Sequence, residues 1–476
     1  MSFSDILFMR HEVVLTILAL LILIIDLNLS NKNKHLIIPV SLGLFVIHTI
    51  IGFFPTEEVS LFGGMYQTDA LRGMMKNVLN VGVLIVLFQS VTWLKKPENE
   101  EKISEYFILL FSTLIGMNFM ISSGDFLMLY LGLELATIPV AALAAYTHHQ
   151  TKSAEAGIKM LLSSALSSGI LLFGLSLIYG STGSVYYDTV AANFGETPLQ
   201  VLAFIFFFAG MGFKMSLVPF HLWTADVYEG APTNVSSYLS VISKGASAFI
   251  LIIVMFTVFP VISPIWKDII YLITILTITV GNLFALRQKN MKRFLAFSSI
   301  AQVGFILLAI ISGAKIGMTS VIYFILTYIF SNLGAFGVVS AIETATGKVD
   351  MDDYDGLYHT NPKLSLIMTL SMFSLAGIPP VAGFFGKFFL YTSAASAGYY
   401  WLILIAVVNT IISLYYYLLV VKAMWINKSE NPIAHIKSDL PTRIGLVLCV
   451  AGIFVIGFWS QIYEWIDKLA FGIALK

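Results

Sequence analysis

From residue 12 to residue 465 the chain repeats one pattern: a run of about 20 predominantly apolar residues, then a short polar break. The first run, VVLTILALLILIIDLNL, sets the type. A run of this length crosses hydrocarbon as a helix, because a helix satisfies every backbone amide without water. The breaks place fourteen helices, at 12–30, 36–54, 73–94, 104–122, 125–146, 153–180, 198–219, 232–258, 267–286, 292–313, 316–343, 363–394, 399–425 and 442–465. The pattern therefore predicts an all-α polytopic membrane protein, with residues 1–476 forming a single integral membrane domain. Composition agrees: 11% of residues are charged, against about 25% in soluble domains. Zero net charge without a basic patch argues against nucleic acid and leaves the lipid bilayer as the general surrounding.

The opening MSFSDILFMRHEVV lacks the charged head and cleavage site of a signal peptide, so the first run is expected to be a retained span. The single cysteine, Cys449, lies in an apolar run and is read as a packing residue. Orientation follows from lysine and arginine in short loops. With the N-terminus outside, the inner loops collect about fifteen of them and the outer side about six. Both termini are thus expected outside, which is the periplasmic side in a bacterial inner membrane.

Against this background five ionisable residues stand inside expected spans: Glu134, Lys159, Lys214, Lys244 and Lys387. Each costs roughly 2.5–3.5 kcal/mol at a helix centre, which makes it a functional candidate. Static ion pairing is the plainer alternative. It suits Lys159, since Glu155 sits four residues earlier on the same helix face. It does not suit the set, because lysines outnumber the carboxylate four to one. A buried lysine beside an adjustable carboxylate can gain and lose a proton, so Lys214, Lys244 and Lys387 read as a proton relay. Asp26 and Lys76 lie near span ends and read as interfacial. His148 and His149 lack a third metal ligand nearby in sequence.

Two spans carry proline beside such a residue: Pro219 follows Lys214, and Pro379 and Pro380 precede Lys387. Proline opens a helix, and open backbone is tolerated in a bilayer only where it lines protein or water. The broken spans are the seventh and the twelfth. An odd separation means that they run in opposite directions, as in an inverted repeat of two five-helix units over 104–258 and 267–425. The order of lysine and proline differs between the two. Polar side chains of spans ten and eleven, Gln302, Tyr328 and Ser331 among them, can hold a water link or serve as interhelical glue.

At these residues the chain resembles a known family. FKMSLVPFHLWTADVYEGAPT (213–233), MKRFLAFSSIAQVGFILL (291–308) and LAGIPPVAGFFGKF (375–388) are similar to hallmark segments of the antiporter-like subunits of respiratory complex I, NADH:quinone oxidoreductase. LGLELATIPVAALAAY with SAEAGIKMLLSSALSSGILLFGLSLIYGSTGS points to its chain N group. The resemblance covers about residues 70–430. Lys387 stands where chain M typically has glutamate, Lys244 where chain L looks different, and little follows the last span where chain L has a long lateral helix.

The resemblance implies roles. Glu134 is the modulating carboxylate, Lys214 the proton-accepting lysine, Lys244 the connecting lysine and Lys387 the exit lysine. Lys159 supports the input route, and His221 is either a relay group or a polar helix end. Gln302 departs from the histidine often found at its place, so water and an amide must serve there. The resemblance also implies that this chain is a translocase subunit of the enzyme without a redox centre of its own. FMN and iron–sulfur clusters are expected in other subunits, and the partners are antiporter-like membrane neighbours, protons and water. A subunit of a cation/proton antiporter and a structural membrane subunit without a proton path are the alternatives.

Overall fold

A computed structural model describes residues 3–313 and 315–470. Thirteen helices among them are long and apolar enough to cross a membrane, from Arg10–Asn28 to Leu440–Phe458. The expected twelfth span is instead two fifteen-residue helices, Pro362–Ala376 and Ala382–Ser396. The expected seventh ends early, at Met215, and its polar sequel forms a further helix, Leu222–Gly230. The expected eighth, Thr233–Thr257, contains a π-helical turn at Leu239–Ser243, immediately before Lys244. A two-stranded antiparallel hairpin, Val59–Leu61 with Tyr66–Thr68, occupies the polar break after the second span.

The chain folds as two compact units. The first comprises Met1–Leu84, Trp93–Met215 and Ser243–Trp266. Its helices approach closely through glycine. A Cβ on Gly116 would stand 2.4 Å from the backbone nitrogen of Ala136, and one on Gly174 would stand 2.7 Å from that of Phe207. Such contacts let the Ile103–Ile121 and Phe126–Ala144 helices, and the Thr151–Thr182 and Pro198–Met215 helices, pack backbone to backbone.

The second unit comprises Ile85–Thr92, Ser216–Ile242 and Lys267–Lys476. Its helices Met291–Ile310 and Lys315–Thr346 are almost wholly buried. Both units share an order of elements. In the first, Asp125 caps the Phe126–Ala144 helix by accepting from the Met128 amide at 2.7 Å. A 32-residue helix, Thr151–Thr182, follows, then a backbone bridge from Asp125 to Tyr186, then a helix that opens on Pro198. In the second, Asn290 caps Met291–Ile310 by accepting from the amides of Lys292 and Arg293. Again a 32-residue helix, Lys315–Thr346, follows, then a bridge from Asn290 to Asp350, then a helix that opens on Pro362.

Candidate proton-transfer site

In the first unit Lys214 occupies the last turn of Pro198–Met215, and its side chain is buried. Its Nζ donates to Thr137 Oγ1 at 2.6 Å. The Thr137 hydroxyl proton is committed to the carbonyl of Leu133 at 2.5 Å, which leaves the oxygen lone pairs for the ammonium. Glu134 precedes Thr137 by three residues and therefore shares its helix face. Its carboxylate acts on Lys214 through space and on the hydroxyl of Tyr130, yet it is not within ion-pair distance of the lysine. Glu134 Oε1 is buried without a hydrogen bond. Acceptor and ammonium are thus close but parted.

A narrow cleft with about 10 Å³ of space for water adjoins Lys214, lined by Thr137, Ser164, Ser167 and Ser168 among apolar side chains. Ser167 donates to the carbonyl of Gly210 at 3.3 Å and ties the serine-bearing helix to the lysine-bearing one. These hydroxyls give water and an ammonium partners in a region otherwise lined by leucine and phenylalanine. Sequence reading missed Thr137 and the serines. Their only signals were the three-residue step from Glu134 and the paired serines of LSSALSS. Lys159 is not brought to this cleft. It is partly exposed and pairs with Glu155 at 2.6 Å on the outward face of its helix. Lys244, also in the first unit, is buried just after the π-helical turn.

In the second unit the Pro219 segment is anchored by its own neighbours. The amide of Val218 donates to Thr277 Oγ1 at 3.1 Å, and Thr224 Oγ1 donates to Ser216 Oγ at 2.7 Å. His221 is buried at the N-terminal end of Leu222–Gly230. Arg293 pairs with Asp226 at 2.6 Å and Glu229 at 3.0 Å on that helix. Lys292 pairs with Glu343 at 3.0 Å, and Glu343 accepts a short hydrogen bond from Thr233. From sequence alone, Lys292 and Arg293 count only among the basic loop residues.

The second broken span is held open by a small set of bonds. Gly377, at φ +86°, ends Pro362–Ala376, and the helix resumes after Pro379 and Pro380 at Ala382. Ser374 Oγ accepts from the amide of Gly383 at 3.1 Å, and Ser331 Oγ lies 2.6 Å from Ser374 Oγ. Ser331 thus braces the break. Lys387, buried, reaches back and donates to the carbonyl of Ala376 at 3.2 Å, with its Nζ 4.7 Å from the centre of the Phe305 ring. The ammonium meets the negative end of a half-helix and the face of an aromatic ring, both attractive to a cation.

The adjacent carbonyl, that of Leu375, accepts from Gln302 Nε2 at 3.1 Å, and the same nitrogen lies 3.1 Å from the Tyr417 hydroxyl. Tyr417 lies 2.6 Å from Ser298 Oγ. Gln302 and Phe305, one turn apart, therefore hold the helix end and the lysine together. Tyr328 is buried, and its hydroxyl makes no hydrogen bond among the described residues. Lys76 departs from expectation. It is 1% exposed and bonded to Glu12 Oε1 at 2.5 Å, because a carboxylate on the first span meets it inside the bundle.

With this geometry in place, the comparisons decide the family. The model for "NADH:quinone oxidoreductase/Mrp antiporter, TM" matches residues 123–413, which include both broken helices and Lys214, Lys244 and Lys387. The chain belongs to this family of membrane proteins. Over 99% of its length it is 51% identical to the whole of the NADH-quinone oxidoreductase subunit N of Phocaeicola vulgatus. It is 29% identical to a chain in a structure of respiratory complex I from Thermus thermophilus, with a TM-score of 0.79 over 95% of this chain and 98% of that one. A chain of the Mrp complex from Dietzia, 20% identical, shares the fold at a TM-score of 0.84 over 100% of this chain and 98% of that one. The chain is accordingly a multi-pass membrane protein of the antiporter-like class.

Proposed function

We propose that this chain moves protons across the membrane as a subunit of a bacterial NADH–quinone oxidoreductase, through Lys214, Lys244 and Lys387. The observation that carries the reading is the setting of Lys214: a buried ammonium on Thr137, a carboxylate in its field but out of contact, and a hydroxyl-lined cleft alongside. Movement of Glu134 toward Lys214 favours the protonated amine, and withdrawal leaves burial to expel the proton. A proton raised through 100 mV needs about 2.3 kcal/mol, and one unit of pKa is worth about 1.36 kcal/mol. A swing of a few units is therefore the right scale. Lys244 passes the proton on and Lys387 releases it, with the Ala376 carbonyl and Phe305 face as its resting contacts.

The repeat of cap, long helix, bridge and proline-led broken helix supports two inverted units over 104–258 and 267–425. Thr137 and Gln302 correspond in it, each twelve residues past its cap and each holding part of a broken helix. The excess of basic loop residues on one side favours both termini in the periplasm. FMN and iron–sulfur chemistry fall to other subunits, in keeping with the name of the subunit N relative.

The test is Lys214→Ala in the assembled complex, with proton pumping and NADH oxidation measured together. Loss of pumping is expected, and normal pumping per electron would sink the reading. Cation exchange by the isolated chain in liposomes would instead favour an antiporter.

A further inference from the structure

The first three spans carry a second group of buried titratable side chains, apart from the lysine line. Glu12 and His11 stand in the first turn of Arg10–Asn28, His48 in the last turn of Ile37–Ile51, and Lys76 near the start of Ala70–Leu94. All lie at the end of these helices where the chain forms the Val59–Thr68 hairpin. Each is at most 3% exposed.

Two parts are distinguishable. In the first, Glu12 holds Lys76 at 2.5 Å and accepts from the Tyr66 hydroxyl at 3.1 Å, while Lys76 also reaches that hydroxyl at 3.1 Å. Burial holds the Tyr66 phenol above its ordinary range, so it remains a hydroxyl. This part is charge-balanced and hydrogen-bonded. In the second, the rings of His11 and His48 meet edge to face at 5.8 Å, and Asn80 Nδ2 lies 3.4 Å from His11 Nδ1. Both nitrogens of His48, Nε2 of His11 and Oδ1 of Asn80 are buried without hydrogen bonds. So are both amide atoms of Asn118, in the last turn of the Ile103–Ile121 helix that packs on Arg10–Asn28.

An unsatisfied buried polar group costs about 1–3 kcal/mol. Several together call for ordered water, which needs two to four polar partners. An ion pair clasping two helices accounts for Glu12 and Lys76 but gives no reason for two imidazoles. The other charged groups nearby are engaged elsewhere: Arg10 with the carbonyls of Phe54 and Pro55 and with Thr56, and Arg72 with Asp69 at 2.5 Å.

We propose that His11 and His48 form a proton-binding site at the hairpin end of the N-terminal helices, holding one exchangeable proton shared through ordered water. The neutral Glu12–Lys76–Tyr66 group sets its affinity. On release, an imidazolium N–H bond breaks and the proton passes to water; on uptake the steps reverse. The inference rests on the chain's place in a proton-pumping complex but not on the lysine line.

The test uses the whole complex in liposomes with His11→Gln and His48→Gln combined, since glutamine keeps a polar amide but does not titrate. The expected result is a fall of more than about twofold in protons pumped per electron, together with a changed pH dependence of that ratio. A ratio and profile matching the parent complex overturn the proposal. If the double variant does not assemble, nitrogen-15 histidine spectra of the parent complex, with single His48→Gln for assignment, decide. A change of imidazole protonation with pH in this pair supports the site, and two rings neutral at every pH at which the complex pumps overturn it. Lys214→Ala run in parallel separates the two readings: normal pumping there defeats the lysine line and leaves the histidine result standing on its own.

Discussion

Lys214 and Lys387 are both buried lysines beside a broken helix, and their surroundings differ in kind. Lys214 lies on the half-helix that precedes its break, bonded to a hydroxyl and within the field of Glu134. Lys387 follows its break and reaches back to a backbone carbonyl and an aromatic ring. Among the described residues no carboxylate is within ion-pair distance of it. One environment contains a charge that a side-chain movement can bring nearer or take away. The other is built from a helix terminus and a ring face, whose attraction stays fixed while the backbone holds. On the proposed function, adjustment falls to the first lysine and a constant resting place to the second.

Removing either ammonium should have the largest effect. Lys214→Met and Lys387→Met are each expected to slow proton transfer by roughly 10²-fold, the scale of one acid–base group, as measured by dye quenching in proteoliposomes during NADH oxidation. Equal loss in both keeps them on one path; loss in one alone would break the pairing. Glu134→Gln comes next, with about a tenfold loss, equivalent to one unit of pKa in its partner. Because Glu134 acts on Lys214 and not on Lys387, the variant should alter the pH profile of Lys387→Arg, where Lys214 still titrates, but leave that of Lys214→Arg unchanged, since arginine stays protonated.

Thr137→Val removes one hydrogen-bond acceptor but no charge, and water can take the acceptor's place, so it should reduce pumping less than Glu134→Gln. Thr137→Ser should restore it, whereas a purely steric role would tolerate valine and disfavour serine. Smallest is Gln302→Leu, which leaves the Leu375 carbonyl without its amide donor. A loss of about 1 kcal/mol is expected, read as a lower midpoint in thermal unfolding of the purified complex, with pumping nearly retained. A large pumping defect from this variant would show the second unit to be as adjustable as the first.

Much of this was legible from residue order alone. Apolar runs long enough for a bilayer marked the spans, and a lysine or proline within one was conspicuous because each is costly there. Thr137 escaped notice because threonine is unremarkable in a helix and only the partner across the bundle gives it a task. Lys76 looked interfacial because hydropathy measures distance along the chain. Its burial depends on Glu12, 64 positions earlier. Lys159 met the opposite fate: apolar neighbours suggested an interior place, while helix rotation turns it and Glu155 outward. The hairpin lay hidden in a polar break whose short strands have little periodicity to display.

The π-helical turn before Lys244 had no side-chain signature, yet it has a mechanical meaning. Such a turn carries one residue more than the α-helix around it requires. Moving that surplus one position past Lys244 turns the lysine by about 100° about the helix axis, since 3.6 residues complete a circle. The helix would keep nearly all its hydrogen bonds during the change. A side chain placed at such a joint can be re-aimed without unfolding anything, as a key turns in a lock that stays fixed in its door.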